Sequence, residues 1–301
     1  MTPGTLLRAV RAPSLTAGVM PVLTANALVA HHGFPVDLEV MGLTLVGMVA
    51  AQSGVNLVND YFDDRSGLDA DPDFADHPFP LGSRVIQQGR MSRRGVALFA
   101  LACFVVAAGA GLLLDRLHPG HVVLRIAVVG ALLGYFYTAP PLKIAYRGAG
   151  EPITFLLFGP LAGVGAYYVQ TGLVDVAALL LASVVGLLAM AILFLHHFPQ
   201  YEADLRHGKK TPIVRLGPEA AGRWVPWILA APYALVLAGV AIRVFPETTL
   251  AFFLTLPWSI RVARTALQRA GEPRPMSRAV GNVLLVHFVG GLAISLALWL
   301  S

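Results

Sequence analysis

The sequence predicts an all-α, polytopic membrane bundle, and its composition and hydropathy pattern are the observations behind that prediction. Of the 301 residues, 56% are hydrophobic and 13% are charged, against roughly a quarter charged in an ordinary soluble domain. The mean hydropathy is +0.68. Apolar residues collect in stretches close to the roughly 20 residues that a helix needs to cross ~30 Å of hydrocarbon. The stretches lack the short alternating pattern of a membrane β-barrel, so helices are expected.

Nine apolar stretches follow one another in a single membrane domain that is expected to cover residues 1–301. The first is expected to be a retained span, because MTPGTLLRAVRAPSL lacks the small-residue cleavage site of a signal peptide. Cys103 lies in the third stretch and is expected to pack in the core. The predicted spans lie near residues 16–31, 38–59, 94–114, 121–138, 152–171, 176–198, 223–243, 248–267 and 280–300.

Basic residues fall in alternate loops, and this asymmetry predicts the orientation of the chain. One set of loops holds nearly all of the arginines and lysines, whereas the opposite set offers Arg116 and Arg243, with Arg125 a little way into the fourth span. We therefore expect an inner (cytoplasmic) membrane protein with its N-terminus in the cytoplasm and Ser301 outside. The pI near 9.6 follows from this asymmetry. Nucleic-acid binding is not indicated, because no soluble module interleaves basic and aromatic residues.

Carboxylates gather on the same predicted cytoplasmic face, first at the end of the second span. Asn56, Asp60 and Asp64 are spaced by four residues and are expected to share one stripe of a helix. Hard oxygen ligands of this kind suit Mg²⁺, which binds one or two carboxylates together with substrate phosphates. A solvated acidic loop is the alternative interpretation. The loop also holds Asp76 and three carboxylates that fall off the stripe and are expected to be solvated: Asp69, Asp71 and Asp73.

A second acidic segment follows the sixth span and predicts an internal pseudo-repeat. His196, Gln200 and Asp204 repeat the four-residue spacing, about 140 residues after the first segment. Each segment is followed by cations and glycines, in GSRVIQQGR and GKKTPIVRLG. Two acidic patches with surrounding cations predict a cage for metal ions and a diphosphate at the cytoplasmic face. An organic-anion transporter is the competing class, although transport sites usually lie near the midplane.

These motifs resemble those of the UbiA family of intramembrane prenyltransferases. NLVNDYFDD is similar to that family's N-x-x-x-D-x-x-x-D motif, and FPQYEADLRHGKKTPIVRLG is similar to its second acidic motif. RAPSLTAGVMP and GYFYTAPPLKIAYRGAGE also resemble family segments, so the resemblance covers almost the whole chain. NDYFDDRSGLD, GSRVIQQG and YTAPPLK are most like the branch that prenylates 1,4-dihydroxy-2-naphthoate in menaquinone synthesis. The chain departs from the family where Gln200 replaces an Asp and where His196 and His197 occupy an Asn region.

The resemblance implies Mg²⁺-dependent transfer of a polyprenyl group from its diphosphate to an aromatic acceptor in the lipid bilayer. The expected acceptor is 1,4-dihydroxy-2-naphthoate, with another quinone-precursor phenol or a lipid alcohol as alternatives. No obligatory protein partner and no nucleic acid are expected. A soluble terpene synthase with a DDxxD motif is excluded by the hydropathy.

The resemblance and the clustered charges together assign roles to particular residues. Predicted metal ligands are Asn56, Asp60, Asp63, Asp64, Glu202 and Asp204, and those expected to be essential for catalysis are Asp60, Asp64 and Asp204. Predicted diphosphate partners are Arg84, Lys143, Arg147 and Lys209, whereas Lys210 is expected to be a surface charge. Residues expected to contact substrate or to support the ligands are Tyr137, His196, His197 and Gln200. A zinc site is not indicated, because thiols and matched histidine spacing are missing.

Overall fold

The structure is a computed structural model that describes residues 2–71 and 82–301, and within these ranges it is built from helices without any strand. The all-α prediction is therefore confirmed for the described part of the chain. The α-helices are α1 (Pro3–Ala9), α2 (Thr16–His31), α3 (Leu38–Ser66), α4 (Arg93–Leu114), α5 (Val122–Tyr135), α6 (Gly150–Leu156), α7 (Gly165–Thr171), α8 (Val176–His196), α9 (Tyr201–Arg206), α10 (Pro212–Leu216), α11 (Pro218–Gly222), α12 (Val225–Ala241), α13 (Leu256–Arg269) and α14 (Pro273–Trp299). Short 3₁₀ segments occupy Ala12–Leu15, Leu68–Ala70, Asp115–Leu117, Ile144–Arg147 and Glu247–Thr255, and a π-helical segment occupies Leu157–Val164.

Seven helical runs in the described ranges are long and apolar enough to cross a membrane, compared with nine predicted spans. These runs are Ala12–His31, Leu38–Ser66, Arg93–Leu117, Gly150–Thr171, Val176–His196, Pro218–Ala241 and Pro273–Trp299. The predicted fourth span is a shorter apolar helix, Val122–Phe136. The predicted eighth span is divided between the 3₁₀ segment Glu247–Thr255 and α13, which carries three arginines. The chain is thus an integral, multi-pass membrane protein.

The helix α8 lies at the centre of the bundle and packs against α2, α12, α14 and the π-helical segment. It lies close to that segment and to α6: a Cβ added at Gly186 would lie 2.7 Å from the Cα of Gly159 in the segment and 2.8 Å from the carbonyl oxygen of Phe155 in α6. Pro160 lies inside the π-helical segment. Because proline cannot donate a backbone hydrogen bond, the local π-helical pairing lets the helix continue past Pro160.

The ends of α3 and α8 bring the two acidic segments to the same face of the bundle. Gly67, with φ of 83°, ends α3 and turns the chain into the 3₁₀ segment Leu68–Ala70. A positive φ is readily adopted by glycine, which has no Cβ. Leu68 then packs against Ala203 of α9 and Tyr146. This small apolar contact fixes the first acidic segment beside the second.

Candidate active site

A cavity of about 1220 Å³ opens beside the two acidic segments and extends into the bundle. Polar residues line its mouth: Asn56, Asn59, Asp63, Asp69, Gln200 and Lys209. Its walls come from α3, α4, α5, the π-helical segment and α7, and they are largely apolar. The lining includes both Asp63 and Thr44 of α3. At 1.5 Å per residue, these nineteen positions span about 28 Å of depth. The cavity therefore has a charged mouth and a long apolar interior.

The first acidic segment presents two different faces of α3. Asn56, Asn59 and Asp63 line the cavity, whereas Asp60 and Asp64 lie outside its lining. The Asp60 carboxylate accepts hydrogen bonds from the Arg11 guanidinium and the Ser83 hydroxyl. Asp60 therefore already has a cationic partner, although it was predicted as a metal ligand.

The Asp64 carboxylate is held by the segment that leads into α4. It accepts hydrogen bonds from Gln87 Nε2, at 3.0 Å, and from Arg93 Nε. The predicted helical stripe of Asn56, Asp60 and Asp64 is thus present on α3. Its two carboxylates, however, face cations of the chain in this structure.

The cavity-facing side of α3 is ordered by a chain of hydrogen bonds. The Asn56 amide donates to the carbonyl of Val10 at 2.9 Å and to Ser14 Oγ at 3.3 Å. The Asn59 amide donates to Asp63 Oδ2 at 2.9 Å, while Asn59 Oδ1 accepts from Arg11 at 2.6 Å. Both amide hydrogens of Asn56 are therefore used, which leaves its oxygen as the group that a cation could bind.

The second acidic segment does not lie on one continuous helix. The helix α8 ends at His196, residues 197–200 form a turn, and α9 begins at Tyr201. Asp204 is fully buried, and neither of its carboxylate oxygens has a hydrogen-bond partner. Glu202 is exposed on α9, so the structure does not bring these two predicted ligands together. Gln200 is buried and lines the cavity.

Lys209 is the predicted diphosphate partner that reaches the cavity mouth. Its Nζ lies 3.5 Å from Asp204 Oδ1 and 5.6 Å from the centre of the Tyr146 ring. Burial lowers the pKa of Lys209, but the Asp204 and Asp63 carboxylates more than offset burial, so that the pKa is raised overall. Lys209 is therefore a buried, charged ammonium group, suited to an anionic ligand.

The other predicted diphosphate partners lie outside the cavity lining. Lys143 is exposed, and its Nζ lies 5.4 Å from the centre of the Tyr146 ring. Arg147 is exposed and donates to the carbonyl of Pro141 at 3.1 Å. Arg84 is partly buried, and its Nε has no hydrogen-bond partner. Lys210 is exposed, as predicted.

Two carboxylates that were predicted to be solvated are buried, so that prediction was wrong. Asp69 is buried at the cavity mouth, and its pKa is raised well above the ordinary value by burial and by the neighbouring Asp63 and Asp60 carboxylates. Asp71 is buried and accepts two hydrogen bonds from Arg206, at 2.7 and 3.1 Å. Burial became possible because the 3₁₀ turn after Gly67 folds this segment back over the site. Asp73 and Asp76 lie outside the described residues.

The donor chemistry at the mouth fits a divalent cation. Four buried carboxylates, those of Asp60, Asp63, Asp69 and Asp204, lie among two buried or partly buried cations, Arg11 and Lys209. Neither oxygen of Asp204 has a hydrogen-bond partner, and such oxygens are the kind of hard ligand that Mg²⁺ prefers. Within residues 2–71 and 82–301, no three acidic, histidine or cysteine side chains already form a closed ligand set.

Several residues at the site were not singled out by sequence reasoning. Arg11 and Tyr146 both contact the first acidic segment, and Tyr146 donates to Asp63 Oδ1 at 2.8 Å. Glu151 pairs with His197, with 3.0 Å between Oε1 and Nδ1. Arg11, Tyr146 and Glu151 all belong to the segments RAPSLTAGVMP and GYFYTAPPLKIAYRGAGE, whose family resemblance was the available signal.

The aromatic and histidine residues expected near substrate do line the cavity. These residues are Tyr137, His196 and His197. A Cβ at Gly150 would lie 3.0 Å from the Tyr137 hydroxyl oxygen, so this glycine allows the hydroxyl to approach the start of α6.

Comparison with known proteins shows similarity over nearly the whole chain. The sequence model of the UbiA prenyltransferase family matches residues 18–298. Over 297 residues the chain is 30% identical to the 2-carboxy-1,4-naphthoquinone phytyltransferase of Synechocystis sp., covering 96% of this chain and 91% of that protein. Over 291 residues it is 25% identical to the 1,4-dihydroxy-2-naphthoate octaprenyltransferase of Bacillus subtilis, covering 97% and 91%. The fold resembles that of a UbiA homologue from Archaeoglobus fulgidus bound to DMAPP and Mg²⁺, with a TM-score of 0.68, 15% identity, and coverage of 96% and 98%.

Proposed function

The chain belongs to the UbiA prenyltransferase family, and from this premise we propose that it transfers a polyprenyl group from its diphosphate to 1,4-dihydroxy-2-naphthoate with the help of Mg²⁺. The observation that carries the proposal is a single cavity with a charged mouth and a long apolar interior. A polyprenyl diphosphate has the same polarity along its length. The two relatives whose names specify naphthoquinone or naphthoate prenyl transfer support the choice of acceptor.

We assign the diphosphate to the mouth, where cations and metal ligands meet. Lys209 offers a buried positive charge, and Asp63 and the Asn56 oxygen would hold Mg²⁺ there. Asp204 lies outside the cavity lining but 3.5 Å from Lys209, and it would complete the ligand set from behind that side chain. The metal, when bound, neutralises the charge that develops on the diphosphate as the C1–O bond breaks. Lys209 acts in the same direction, because its ammonium is already fixed and desolvated beside Asp204. Asp60 and Asp64 would join the ligands if Arg11 and Arg93 turned toward the diphosphate.

We place the isoprenoid tail in the apolar interior. On α3 the mouth extends from Asp63 to Asn56, and the twelve residue steps from Asn56 to Thr44 span about 18 Å. The three backbone bonds of an extended residue span roughly 3.3–3.6 Å, so the four chain bonds of an extended isoprene unit span about 4.5 Å. The interior thus matches a tail of about four units. Shielding by α4, α5 and the π-helical segment would keep water from the allylic cation.

The acceptor ring is proposed to bind between the mouth and the tail. Tyr137 lines the cavity, and in this proposal its ring stabilises the developing cation through its π face. The membrane placement follows the basic loops: an inner membrane, with the N-terminus and the site on the cytoplasmic side. All 301 residues form one domain in this proposal.

The test is a product assay with the purified full-length protein. The protein is incubated with Mg²⁺, geranylgeranyl or longer prenyl diphosphates and a panel of aromatic acceptors, and the products are identified by mass spectrometry. We expect a prenylated naphthoate product that disappears with EDTA. Asp204→Asn should lose at least 100-fold in rate, whereas Glu202→Gln on the exposed side of the same helix should remain near wild type. Absence of any Mg²⁺-dependent product would refute the proposal, and product with another acceptor alone would reassign the substrate.

A further inference from the structure

A buried carboxylate–histidine pair lies at the cavity, where its histidine is part of the lining. His197 follows the last residue of α8 and is 2% exposed, and Glu151 in the first turn of α6 is also buried. The His197 Nδ1 atom is 3.0 Å from Glu151 Oε1. His197 lines the cavity, together with Tyr137 and Gln200. The pair is not needed to hold the metal or the diphosphate in the function proposed above.

The contact with Glu151 determines which ring nitrogen of His197 carries the hydrogen and which can accept a proton. An ionised carboxylate only accepts hydrogen bonds, so Nδ1 carries the hydrogen in this contact. Nε2 is then left with its lone pair, and it has no hydrogen-bond partner among the residues that the structure describes. Glu151 lies in the first turn of the helical run Gly150–Thr171, where the helix dipole favours its negative charge.

The surroundings suit an aromatic acceptor that carries hydroxyl groups. Gln200 is buried and lines the same cavity, and its side chain makes no hydrogen bond within the described ranges. The Tyr137 hydroxyl lies close to Gly150, beside Glu151. An amide, a phenol and an imidazole therefore line the same cavity. The amide and the phenol can donate hydrogen bonds to a ring oxygen, and the imidazole nitrogen can accept a hydroxyl proton.

We propose that His197, oriented by Glu151, is the general base that accepts the ring-hydroxyl proton of the acceptor; this inference rests on the proposed prenyl transfer. The hydroxyl proton moves to Nε2 and makes the ring more nucleophilic. A ring carbon then bonds to C1 of the prenyl group while the C1–O bond breaks, and its electron pair leaves on the diphosphate. The substituted carbon then releases either a proton or its carboxyl group as CO₂, which makes the ring aromatic again. A proton finally returns to the ring oxygen.

The decisive measurement separates proton transfer from ionisation of the diphosphate. His197→Gln can keep the hydrogen bond to Glu151 but cannot act as the base. We expect kcat for prenyl transfer to fall by about 10²–10⁴-fold, with little change in the KM for the prenyl diphosphate. Slow Mg²⁺-dependent hydrolysis of the prenyl diphosphate should persist, because the mouth is untouched. The matched control is His32→Gln, whose histidine pairs with Asp175 outside the cavity lining and should leave the transfer rate unchanged.

Two further experiments distinguish a chemical role of His197 from a structural one. An acceptor with a more acidic ring hydroxyl should regain at least tenfold of the rate lost by His197→Gln, because such an acceptor needs less help from a base. As a positioning residue, Glu151 should tolerate Asp better than Gln, so Glu151→Asp should retain more activity than Glu151→Gln at equal thermal stability in detergent. Transfer by His197→Gln within tenfold of wild type, or a loss that acceptor acidity does not change, would overturn the role of His197. Failure of wild type to transfer to any acceptor would instead refute the proposed function.

Discussion

The ion pair between Arg11 and Asp60 is expected to be a major contribution to the stability of the metal-free site. The Arg11 side chain is 23% exposed and that of Asp60 is 3% exposed. In Arg11→Met, Asp60 would keep its bond from Ser83 but would become a buried carboxylate without a cation. Breaking a buried pair costs about 3–5 kcal/mol. Because Ser83 remains and Arg11 is partly solvated, we take the lower end, about 3 kcal/mol, which is roughly a 10²-fold change in the unfolding equilibrium.

The comparison variant is Arg93→Met, which breaks the pair to Asp64 on the same helix. Arg93 is 61% exposed, and exposed pairs contribute about 1 kcal/mol or less. Both variants would be unfolded by a denaturing-detergent titration in EDTA, with the free energy of unfolding as the measured quantity. Asp60→Asn introduced into Arg11→Met should recover stability, because it removes the uncompensated charge. Added Mg²⁺ should narrow the gap between Arg11→Met and wild type, since the cation can take the place of the guanidinium.

Equal losses in Arg11→Met and Arg93→Met would refute the argument, because burial would then not decide the strength of these pairs. No recovery on adding Asp60→Asn would also refute it. In that case the loss would come from the packing of the arginine stem rather than from its charge.

The remaining predictions concern the cavity, the protonation of the mouth and the packing of the bundle. Ala127→Phe, on the cavity side of α5, should shift product formation toward shorter prenyl diphosphates in a competition assay, whereas Val129→Phe, which lies outside the lining, should not. The raised pKa of Asp69 means that the folded chain keeps a proton that the unfolded chain releases above pH 3.8. The stability of the protein in EDTA should therefore fall as the pH rises from about 4 through the raised pKa. In Asp69→Asn, the difference between the melting temperatures at pH 5 and pH 7.5 should be smaller than in wild type. Gly186→Ala should lower the free energy of unfolding by about 1–3 kcal/mol, because its Cβ meets backbone atoms of the π-helical segment. The control is Gly109→Ala, which has open space around it and should unfold at the same detergent concentration as wild type.

Local periodicity predicted the helix that carries the first acidic segment, but it could not predict which side chains face the cavity. The spacing of Asn56, Asp60 and Asp64 places them on one stripe of α3, as expected. Their partners are set by residues far away in the chain, since Arg11 precedes Asp60 by 49 positions and Arg93 follows Asp64 by 29. Such long-range pairing leaves no local pattern in the sequence.

Turns of the chain account for the second acidic segment and for the buried loop carboxylates. The four-residue spacing from His196 to Asp204 predicted one helical stripe, whereas the chain turns at residues 197–200 and starts a new helix. Pro199 lies in that turn and cannot donate the hydrogen bond of a continuing helix. Asp69 was assigned to solvent because it falls off the stripe of α3, but the turn at Gly67 returns it to the interior.

The walls of the cavity differ in how tightly they are packed from behind, and this difference bears on where substrate range can change. Behind the π-helical wall, the backbones of Gly159 and Gly186 are in close contact, so a side chain added there has no room. Another wall is α5, in which only Gly134 is buried, so the core packs little against this helix. Variation in tail length is therefore most easily absorbed on α5. A family of such enzymes could diversify its isoprenoid products through that helix while the rest of the bundle stays constant.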